Sequence, residues 1–167
     1  MEETDRKLTL NGLVEAALFV EELPRACDFY KQVLGLSKVK ASDTGCVFRV
    51  ADQRYLLIIS RKAAHTPNKT ASGDLLPPCA LPQQDGQGPG HIAFGISKDE
   101  VDSWRERLAK HDVDLLSEIS WESGARSLYF RDPDGHMIEL ATAGIWEPSS
   151  LAARRSGSTR CESTPRE

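Results

Sequence analysis

The chain has 167 residues, a formal net charge of −4, 40% hydrophobic residues and 28% charged residues, as is ordinary for a soluble globular protein. This length suits one well-formed core or two small fused modules. No basic stripe with interleaved aromatic residues is present, so nucleic acid is not an expected partner. The N-terminus has no apolar signal segment and no window approaches a membrane span, so the sequence predicts a cytoplasmic protein without a membrane partner.

The first half of the chain is predicted to form a strand, a helix and three further strands. Residues 13–20, LVEAALFV, alternate in the manner of a strand. Pro24 then opens a helix, because proline is tolerated in a first turn, and apolar residues recur at helical spacing until Gly35 ends it. Three short strands follow, separated by polar turn residues, over residues 36–41, 46–51 and 55–60.

The second half repeats this order after a long irregular stretch. Residues 61–90 are rich in Pro, Gly, Gln, Asn and Ser and show no periodicity, as expected of a linker or lid. A strand from His91 to Ile96 follows, and then a helix from about Asp99. The remaining strands are predicted over residues 113–121 and 125–130 and from Met137 onward.

The two βαβββ halves form an internal repeat. Aligning Glu15 with His91 also brings the apolar positions of the two helices together, at an offset of roughly 75 residues. The predicted organisation is a series of five segments. They are an N-terminal extension (1–12), a first module (13–60), a linker or lid (61–89), a second module (90–146) and a disordered C-terminal tail (147–167).

The four cysteines predict reduced thiols. None of them has the CxxC spacing of redox or zinc motifs, and disulfides are rare in intracellular proteins. Structural roles are therefore expected for most of them. They are Cys27, Cys46, Cys79 and Cys161.

A β-hairpin signal closes the second module. In SLYFRDPDGHMIELAT, the polar residues around Pro133 and Gly135 separate two apolar runs. Glu139 lies in the middle of the second run, and alternation places it on the face opposite Ile138 and Leu140. A carboxylate that faces solvent there needs no explanation. One that faces a cavity needs an arginine, another cation or a metal ion.

Three polar residues occupy strand positions with small neighbours: Glu15, His91 and Glu139. Singly, a strand glutamate usually faces solvent, and a strand histidine is usually a hydrogen-bonded structural residue. Together, an imidazole and two carboxylates suit a divalent ion such as Mn, Fe, Co, Ni or Mg, with coordination positions left for water or substrate. Zn is less favoured because no thiolate or second imidazole contributes.

The repeated modules, GPGHIAFGI with His91, and LYFRDPDGHMIEL with Glu139 resemble the vicinal oxygen chelate superfamily. That superfamily includes glyoxalase I, extradiol dioxygenases, and fosfomycin- and bleomycin-resistance proteins. The resemblance covers roughly residues 13–143 and implies an α+β fold of two tandem βαβββ modules, whose curved mixed sheets surround a cavity. It also implies that Glu15, His91 and Glu139 are the metal ligands, and that Glu15 or Glu139 exchanges a proton with the substrate.

Two departures from the family pattern narrow the expected chemistry. Many members of the superfamily, including the extradiol dioxygenases, have histidine where Glu15 stands, so the dioxygenase interpretation is weakened. Glyoxalase I also uses a glutamate from the last strand of its first module. In this chain that strand, YLLIIS, offers only Leu57 or Ile58.

The resemblance therefore implies a divalent-metal-dependent enzyme that chelates adjacent oxygens of a small substrate for isomerase or lyase chemistry. Fe(II)-dependent extradiol oxygenation is less favoured. The alternative is a metal-free drug- or metabolite-binding protein, in which the two glutamates face water or pair with one of Arg54, Arg126 and Arg131. A third possibility is an interaction module with an exposed sheet that dimerises. The sequence leaves open whether the cavity closes within one chain or is exchanged across a homodimer.

Other polar and aromatic residues have ordinary structural explanations. His136 lies on the Ile138 side of its strand, which is typical of a turn or packing residue. Strand aromatics such as Trp121 and Tyr129 are usually core residues or cross-strand pairs. We therefore assign no site role to any of them.

Overall fold

The computed structural model describes residues 9–63 and 87–146, and it confirms the βαβββ repeat. The first module contains β1 (Glu15–Val20), α1 (Leu23–Gln32), β2 (Ser37–Ala41), β3 (Gly45–Ala51) and β4 (Arg54–Ser60). The second contains β5 (His91–Ile96), α2 (Val101–Lys110), β6 (Ser117–Ser120), β7 (Arg126–Arg131) and β8 (Met137–Thr142).

Some of the segments predicted from the sequence lie mostly outside the residues that the structure describes. The linker or lid over 61–89 lies outside the described residues except at its two ends. The tail over 147–167 and most of the extension over 1–12 also lie outside them. None of the described helices is long and apolar enough to span a membrane.

Local chemistry explains most element boundaries. Proline lies in the first turn of α1, and Gly35, just beyond the end of that helix, has a φ of 69° that favours glycine. The strand predicted over 113–121 is shorter in the structure and spans only β6. Val113 donates its backbone N–H to the Leu108 carbonyl, so it completes the end of α2 and cannot start a strand ladder.

Each module builds one open, mixed four-stranded sheet. The strand orders are β1-β4-β3-β2 and β5-β8-β7-β6. In both sheets the first strand of the module pairs in parallel with the last, and the other pairings are antiparallel. β1 and β5 are therefore edge strands, with one row of backbone groups unpaired within their sheets.

A single apolar core joins the two modules through the faces that the sheets present to the helices. Its fully buried large side chains include Tyr30, Phe48, Leu56, Phe130 and Leu140. Each such side chain contributes about 1.5–3 kcal/mol by leaving water. The opposite face of each sheet carries Glu15 or the pair His91 and Glu139, as alternation predicts.

The turn between β7 and β8 attaches the second module to the first. Asp132 in this turn accepts a 2.8 Å hydrogen bond from the Tyr30 hydroxyl of α1. The Nδ1 atom of His136 accepts the Gly90 N–H at 2.8 Å. In a neutral imidazole the other nitrogen then carries the proton, so Nε2 donates to the Phe19 carbonyl, 3.0 Å away. His136 thus joins β1, the start of β5 and the β7–β8 turn.

Arg107 of α2 forms a second junction between the modules. Its Nε donates to the Val33 carbonyl at 2.6 Å and its Nη2 donates to the Gln32 carbonyl at 2.7 Å. These carbonyls lie at the C-terminal end of α1, where backbone acceptors lack helical partners and positive charge is favoured. The Arg107 guanidinium of α2 therefore supplies hydrogen-bond donors to the free backbone carbonyls at the C-terminal end of α1.

The reduced state predicted for the cysteines is wrong for one pair. A disulfide joins Cys27 of α1 to Cys46 of β3, and both residues are buried. The pairing depends on the packing of α1 against β3, which cysteine spacing does not reveal. Closing a loop of this size constrains the unfolded chain and contributes about 3 kcal/mol.

An ion-pair cluster holds α2 against β6 and β7. Glu118 lies between Arg105, whose Nη2 is 2.9 Å from Oε2, and Arg126, which donates to Oε1. Partial burial raises the pKa of the Glu118 carboxyl, but the hydrogen bonds and charges of the two arginines together outweigh it, so the pKa is lowered. The cluster therefore favours the ionised glutamate in the folded protein.

Replacing Glu118 with glutamine is expected to lower the free energy of unfolding at pH 7 by up to about 1 kcal/mol. Because the folded pKa is lowered, this contribution is complete above the pKa of an unfolded glutamate, about 4.3. It is lost as the pH falls through the folded value. Urea unfolding of both proteins from pH 7 to pH 3 measures the difference, and a gap that widens toward acid would contradict it.

Candidate active site

His91 and Glu139 meet on the face of the second sheet that points away from the helices. β5 and β8 are parallel neighbours, with Ala93 opposite Glu139, so the two side chains lie on adjacent strands. The His91 Nε2 atom is 3.2 Å from Glu139 Oε2. Two residues separated by 48 positions in the sequence are thus in direct contact because of the strand register.

The two side chains differ in exposure. The Glu139 side chain is 6% exposed, whereas the His91 side chain is 53% exposed. The Tyr129 hydroxyl donates to Glu139 Oε1 at 2.9 Å, and the His91 and Tyr129 rings are 6.2 Å apart. Glu139 is consequently a buried carboxylate held on both oxygens, and His91 is the group through which it reaches solvent.

The arginine partners expected for a metal-free protein are engaged elsewhere. Arg54 donates to the Asp52 carbonyl at 3.4 Å, Arg126 binds Glu118, and Arg131 donates to the Gly135 carbonyl at 2.6 Å. None of the three contacts Glu139 in the described part of the chain. The polar groups that contact this buried carboxylate are instead the His91 imidazole and the Tyr129 hydroxyl.

Glu15 lies apart from the pair. It is the exposed first residue of the edge strand β1, opposite Tyr55, and no hydrogen bond or ion pair involves it among residues 9–63 and 87–146. No group of three or more His, Cys, Asp or Glu side chains in these ranges is positioned to hold a metal ion. One chain therefore brings together two of the three predicted ligands.

The contacting pair fits part of a divalent-metal site. Two ligand atoms at about 2.1 Å from an ion and at right angles to each other are about 3 Å apart, which matches the distance between Nε2 and Oε2. Farther along the same face of β5 the space is open, since a Cβ added at Gly95, two residues beyond the strand partner of Glu139, would meet nothing within 4 Å. His91 and Glu139 thus fit two coordination positions and leave room for further ligands.

The strand register also identifies the residue of the first module that occupies the position equivalent to Glu139. Ala17 pairs with Leu57 in the first sheet, and Ala93 pairs with Glu139 in the second. Leu57 is therefore the repeat equivalent of Glu139. The first module offers no second carboxylate at this position.

A cavity lies elsewhere, between the modules on the helix side of the second sheet. Its volume is about 480 Å³. Phe94, Trp104, Leu36, Arg49 and Asp52 are among the residues that line it, and none of the three predicted ligands does so. This cavity is therefore not the one that was predicted from the sequence to surround the three ligands.

Sequence reasoning missed two residues on the same sheet face as Glu139, its cross-strand partner Tyr129 and the nearby Ser127. Tyr129 is directly opposite Glu139 in the β7–β8 ladder, so the hairpin register alone could have identified it. Ser127 lies two residues earlier on the same face and accepts the Trp121 indole N–H at 2.9 Å. Trp121 precedes β7 in an irregular segment, and strand alternation therefore carried no signal for it.

Comparison with known protein families and curated proteins gives a consistent result. A family model described as Glyoxalase/Bleomycin resistance protein/Dioxygenase superfamily matches residues 12–140. The chain is 29% identical over 141 residues to metallothiol transferase FosB of Shouchella clausii, covering 83% of this chain and 84% of that protein. It is 27% identical over 139 residues to fosfomycin resistance protein FosX of Listeria monocytogenes, covering 83% and 94%.

Solved structures share the fold. Lactoylglutathione lyase from Agrobacterium tumefaciens has a TM-score of 0.71 at 25% identity and covers 83% of this chain and 98% of its own. A FosX mutant from Listeria monocytogenes, complexed with Mn(II) and 1S,2S-dihydroxypropylphosphonic acid, has a TM-score of 0.60 at 23% identity. That match covers 87% of this chain and 100% of the FosX chain.

Proposed function

The chain belongs to the glyoxalase/bleomycin resistance protein/dioxygenase superfamily, and we propose that it is a divalent-metal-dependent enzyme that acts on a small molecule. The observation that carries the proposal is the contact between His91 and the buried Glu139. The names of two relatives support it, since one is a metallothiol transferase and the other was solved with Mn(II). A buried carboxylate paired only with neutral donors and a histidine is well suited to a cation.

In this proposal His91 and Glu139 hold the ion, and Glu15 is the third protein ligand. Mn, Fe, Co, Ni and Mg all suit one imidazole and two carboxylates. The bound ion would act as a Lewis acid toward two adjacent oxygens of the substrate. The chain's own contribution is to keep Glu139 desolvated and oriented by Tyr129, while the more exposed His91 lies at the solvent side of the site.

Of the two carboxylates predicted to exchange a proton with the substrate, Glu15 fits the role better. Both oxygens of Glu139 already have partners, at 2.9 Å from Tyr129 and 3.2 Å from His91. Glu15 is exposed and has no hydrogen-bond partner in the described part of the chain. A carboxylate oxygen without a fixed donor is available to accept a proton.

We further propose that a homodimer completes the site. The ligands are divided between edge strands, Glu15 on β1 and His91 on β5, and each edge has unpaired backbone groups. Apolar residues near the start of β1 are exposed, including Leu13 at 71% and Val14 at 63%. A second copy that covers this edge would bury those side chains and bring its Glu15 to the His91 and Glu139 of the first copy.

Isomerase or lyase chemistry on a substrate with two adjacent oxygens is the preferred reaction class. Transfer of a thiol to fosfomycin, or another fosfomycin modification, is the second candidate. The matches to FosB and FosX over 83% of the chain favour it. Incubation of the metal-loaded protein with diketones, hydroxy-ketones or fosfomycin, each with and without a thiol, separates the two by which substrate is consumed.

Elemental analysis of protein made without a histidine tag tests the metal proposal. We expect near-stoichiometric divalent metal in the parent and its loss in His91→Ala and Glu139→Ala, because each change removes a ligand. His111→Ala and Glu106→Ala are matched controls, since these residues lie on or beside α2, and they should retain metal. A parent that stays metal-free after reconstitution would favour the metal-free binding protein instead.

A further inference from the structure

Gly90, the residue directly before His91, is held by both of its backbone polar groups. Its N–H donates to His136 Nδ1 at 2.8 Å, and its carbonyl accepts the Met137 N–H at 2.8 Å. The ladder between β5 and β8 then begins with His91 opposite Met137. The backbone position of His91 is therefore set where the chain meets His136 and Met137.

The His136 imidazole is closely packed against Gly90. His136 is 2% exposed, so water has little access to the bond between its ring and the Gly90 N–H. A Cβ added at Gly90 would lie 3.2 Å from Leu18 Cδ2 and 3.6 Å from His136 Nδ1. The absence of a side chain at Gly90 thus lets β1 and the imidazole approach the backbone this closely.

The second ring nitrogen of His136 binds the first module. Because Nδ1 accepts the Gly90 N–H, the neutral imidazole carries its proton on Nε2, which donates to the Phe19 carbonyl 3.0 Å away. Phe19 lies near the end of β1, whereas Glu15 is the first residue of that strand. The Gly90 bond therefore adjoins a proposed metal ligand, and the Phe19 bond holds the modules together away from one.

We propose that His136, acting through Gly90, is a positioning residue for the metal ligand His91, an inference that rests on the proposed function. The His91 side chain is 53% exposed, so packing alone constrains it weakly and its direction depends on the backbone at the start of β5. If Gly90 moved away from His136, the 3.2 Å separation of His91 Nε2 and Glu139 Oε2 would lengthen. Outer groups that orient a metal ligand commonly change metal affinity by about 10- to 100-fold when removed.

His136 acts on the site without touching the ion or the substrate. Strand alternation places it on the side of Ile138, opposite the face that carries Glu139. Both of its ring nitrogens already have partners. Its contribution to metal binding is therefore made through the backbone of Gly90.

Asparagine and glutamine separate the two bonds of this imidazole. In His136→Asn the amide oxygen takes the place of Nδ1 and can accept the Gly90 N–H, but no group reaches the Phe19 carbonyl. In His136→Gln the amide nitrogen takes the place of Nε2 and can donate to Phe19, while the Gly90 N–H loses its acceptor. Each variant loses one buried hydrogen bond, so the urea midpoints of the two should fall by similar amounts.

Calorimetric titration of the full chain with Mn²⁺ provides the first test. We expect His136→Gln to weaken binding by about 10- to 100-fold and His136→Asn to bind as the parent does. His111→Gln is the matched control, because His111 lies at the end of α2, and its affinity should be unchanged. A histidine with only a structural role would lower the affinity of both His136 variants together, in step with their urea midpoints. That result, or an unchanged affinity in His136→Gln, would overturn the proposal.

Hydrogen exchange of the Gly90 amide provides a second test, which needs no metal. His136→Gln should speed this exchange and His136→Asn should leave it slow. The Ser42 amide, which donates to the Gly45 carbonyl at 2.8 Å in the β2–β3 turn, should keep its rate in both variants. Equal Gly90 exchange in the parent and in His136→Gln would show that the ring does not hold this residue.

If His136→Gln does not fold, the parent decides the question. Coupling between two sites is reciprocal, so a Gly90 bond that favours metal binding must itself be strengthened by the metal. Addition of Mn²⁺ should then slow the exchange of the Gly90 amide and leave that of Ser42 unchanged. Bound Mn²⁺ with unaltered Gly90 exchange would contradict the proposal.

The measurements separate this positioning role from the function that it serves. A parent that binds no Mn²⁺ contradicts the proposed function, and Gly90 exchange in the two variants then decides whether His136 sets the start of β5. A parent that binds Mn²⁺ while His136→Gln binds it equally well leaves the function standing and removes the positioning role.

Discussion

Replacing Asp132 with alanine is expected to lower the free energy of unfolding by at least about 3 kcal/mol. Its carboxylate is 5% exposed and accepts three hydrogen bonds. They come from the Tyr30 hydroxyl at 2.8 Å, the Asp134 N–H at 3.0 Å and the His136 N–H at 2.8 Å. Alanine would leave these donors without their partner in a largely buried turn that joins the two modules, and the turn would loosen.

Urea unfolding followed by circular dichroism measures this loss. Asp28→Ala is the matched control, because Asp28 is an exposed aspartate of α1 and its change should stay within about 0.5 kcal/mol. Tyr30→Phe removes one of the three bonds and is expected to cost about 1–3 kcal/mol. A loss below about 1 kcal/mol for Asp132→Ala would show that the turn does not hold the modules together.

Mixing two inactive variants is expected to restore metal binding if the site is shared between copies. Glu15→Ala and Glu139→Ala should each lose the metal when prepared alone. Unfolded and refolded together, half of the dimers are mixed, and each mixed dimer has one site with both glutamates intact. The mixture should therefore bind roughly a quarter of the parent's metal. Elemental analysis after gel filtration gives the ratio.

A second mixture provides the control. His91 and Glu139 belong to the same half of the shared site, so His91→Ala mixed with Glu139→Ala leaves every site defective and should bind no metal. Recovery in the first mixture alone would establish exchange. Failure of both mixtures, with a parent that binds metal, would place Glu15 and the other ligands within one chain. Retention of the metal by Glu15→Ala prepared alone would remove Glu15 from the ligand set.

Local patterns were sufficient for the modular architecture. Alternation in LVEAALFV and HIAFGI, together with helical periodicity after each strand, predicted the βαβββ repeat that the structure contains. The same alternation placed Glu139 on the face opposite Ile138 and Leu140. These predictions succeed because side-chain direction in a strand depends on residue parity and needs no knowledge of distant contacts.

Contacts between residues far apart in the sequence needed the tertiary structure. The pairing of Cys27 with Cys46 depends on how α1 packs on β3. The bonds of Asp132 and His136 depend on how the β7–β8 turn meets the first module. No periodicity within a segment encodes these distances, because they arise from the packing of one module against another.

The candidate site, like the fold, could be predicted from the sequence only in part. The sequence by itself determined the three candidate ligands, since Glu15, His91 and Glu139 stand out as polar groups on strand faces with small neighbours. Only the tertiary structure decided which of them meet: the parallel register of β5 and β8 brings His91 to Glu139, while Glu15 lies on another sheet edge. The physical reason is that strand parity sets a side chain's face, whereas sheet order and module packing set its neighbours.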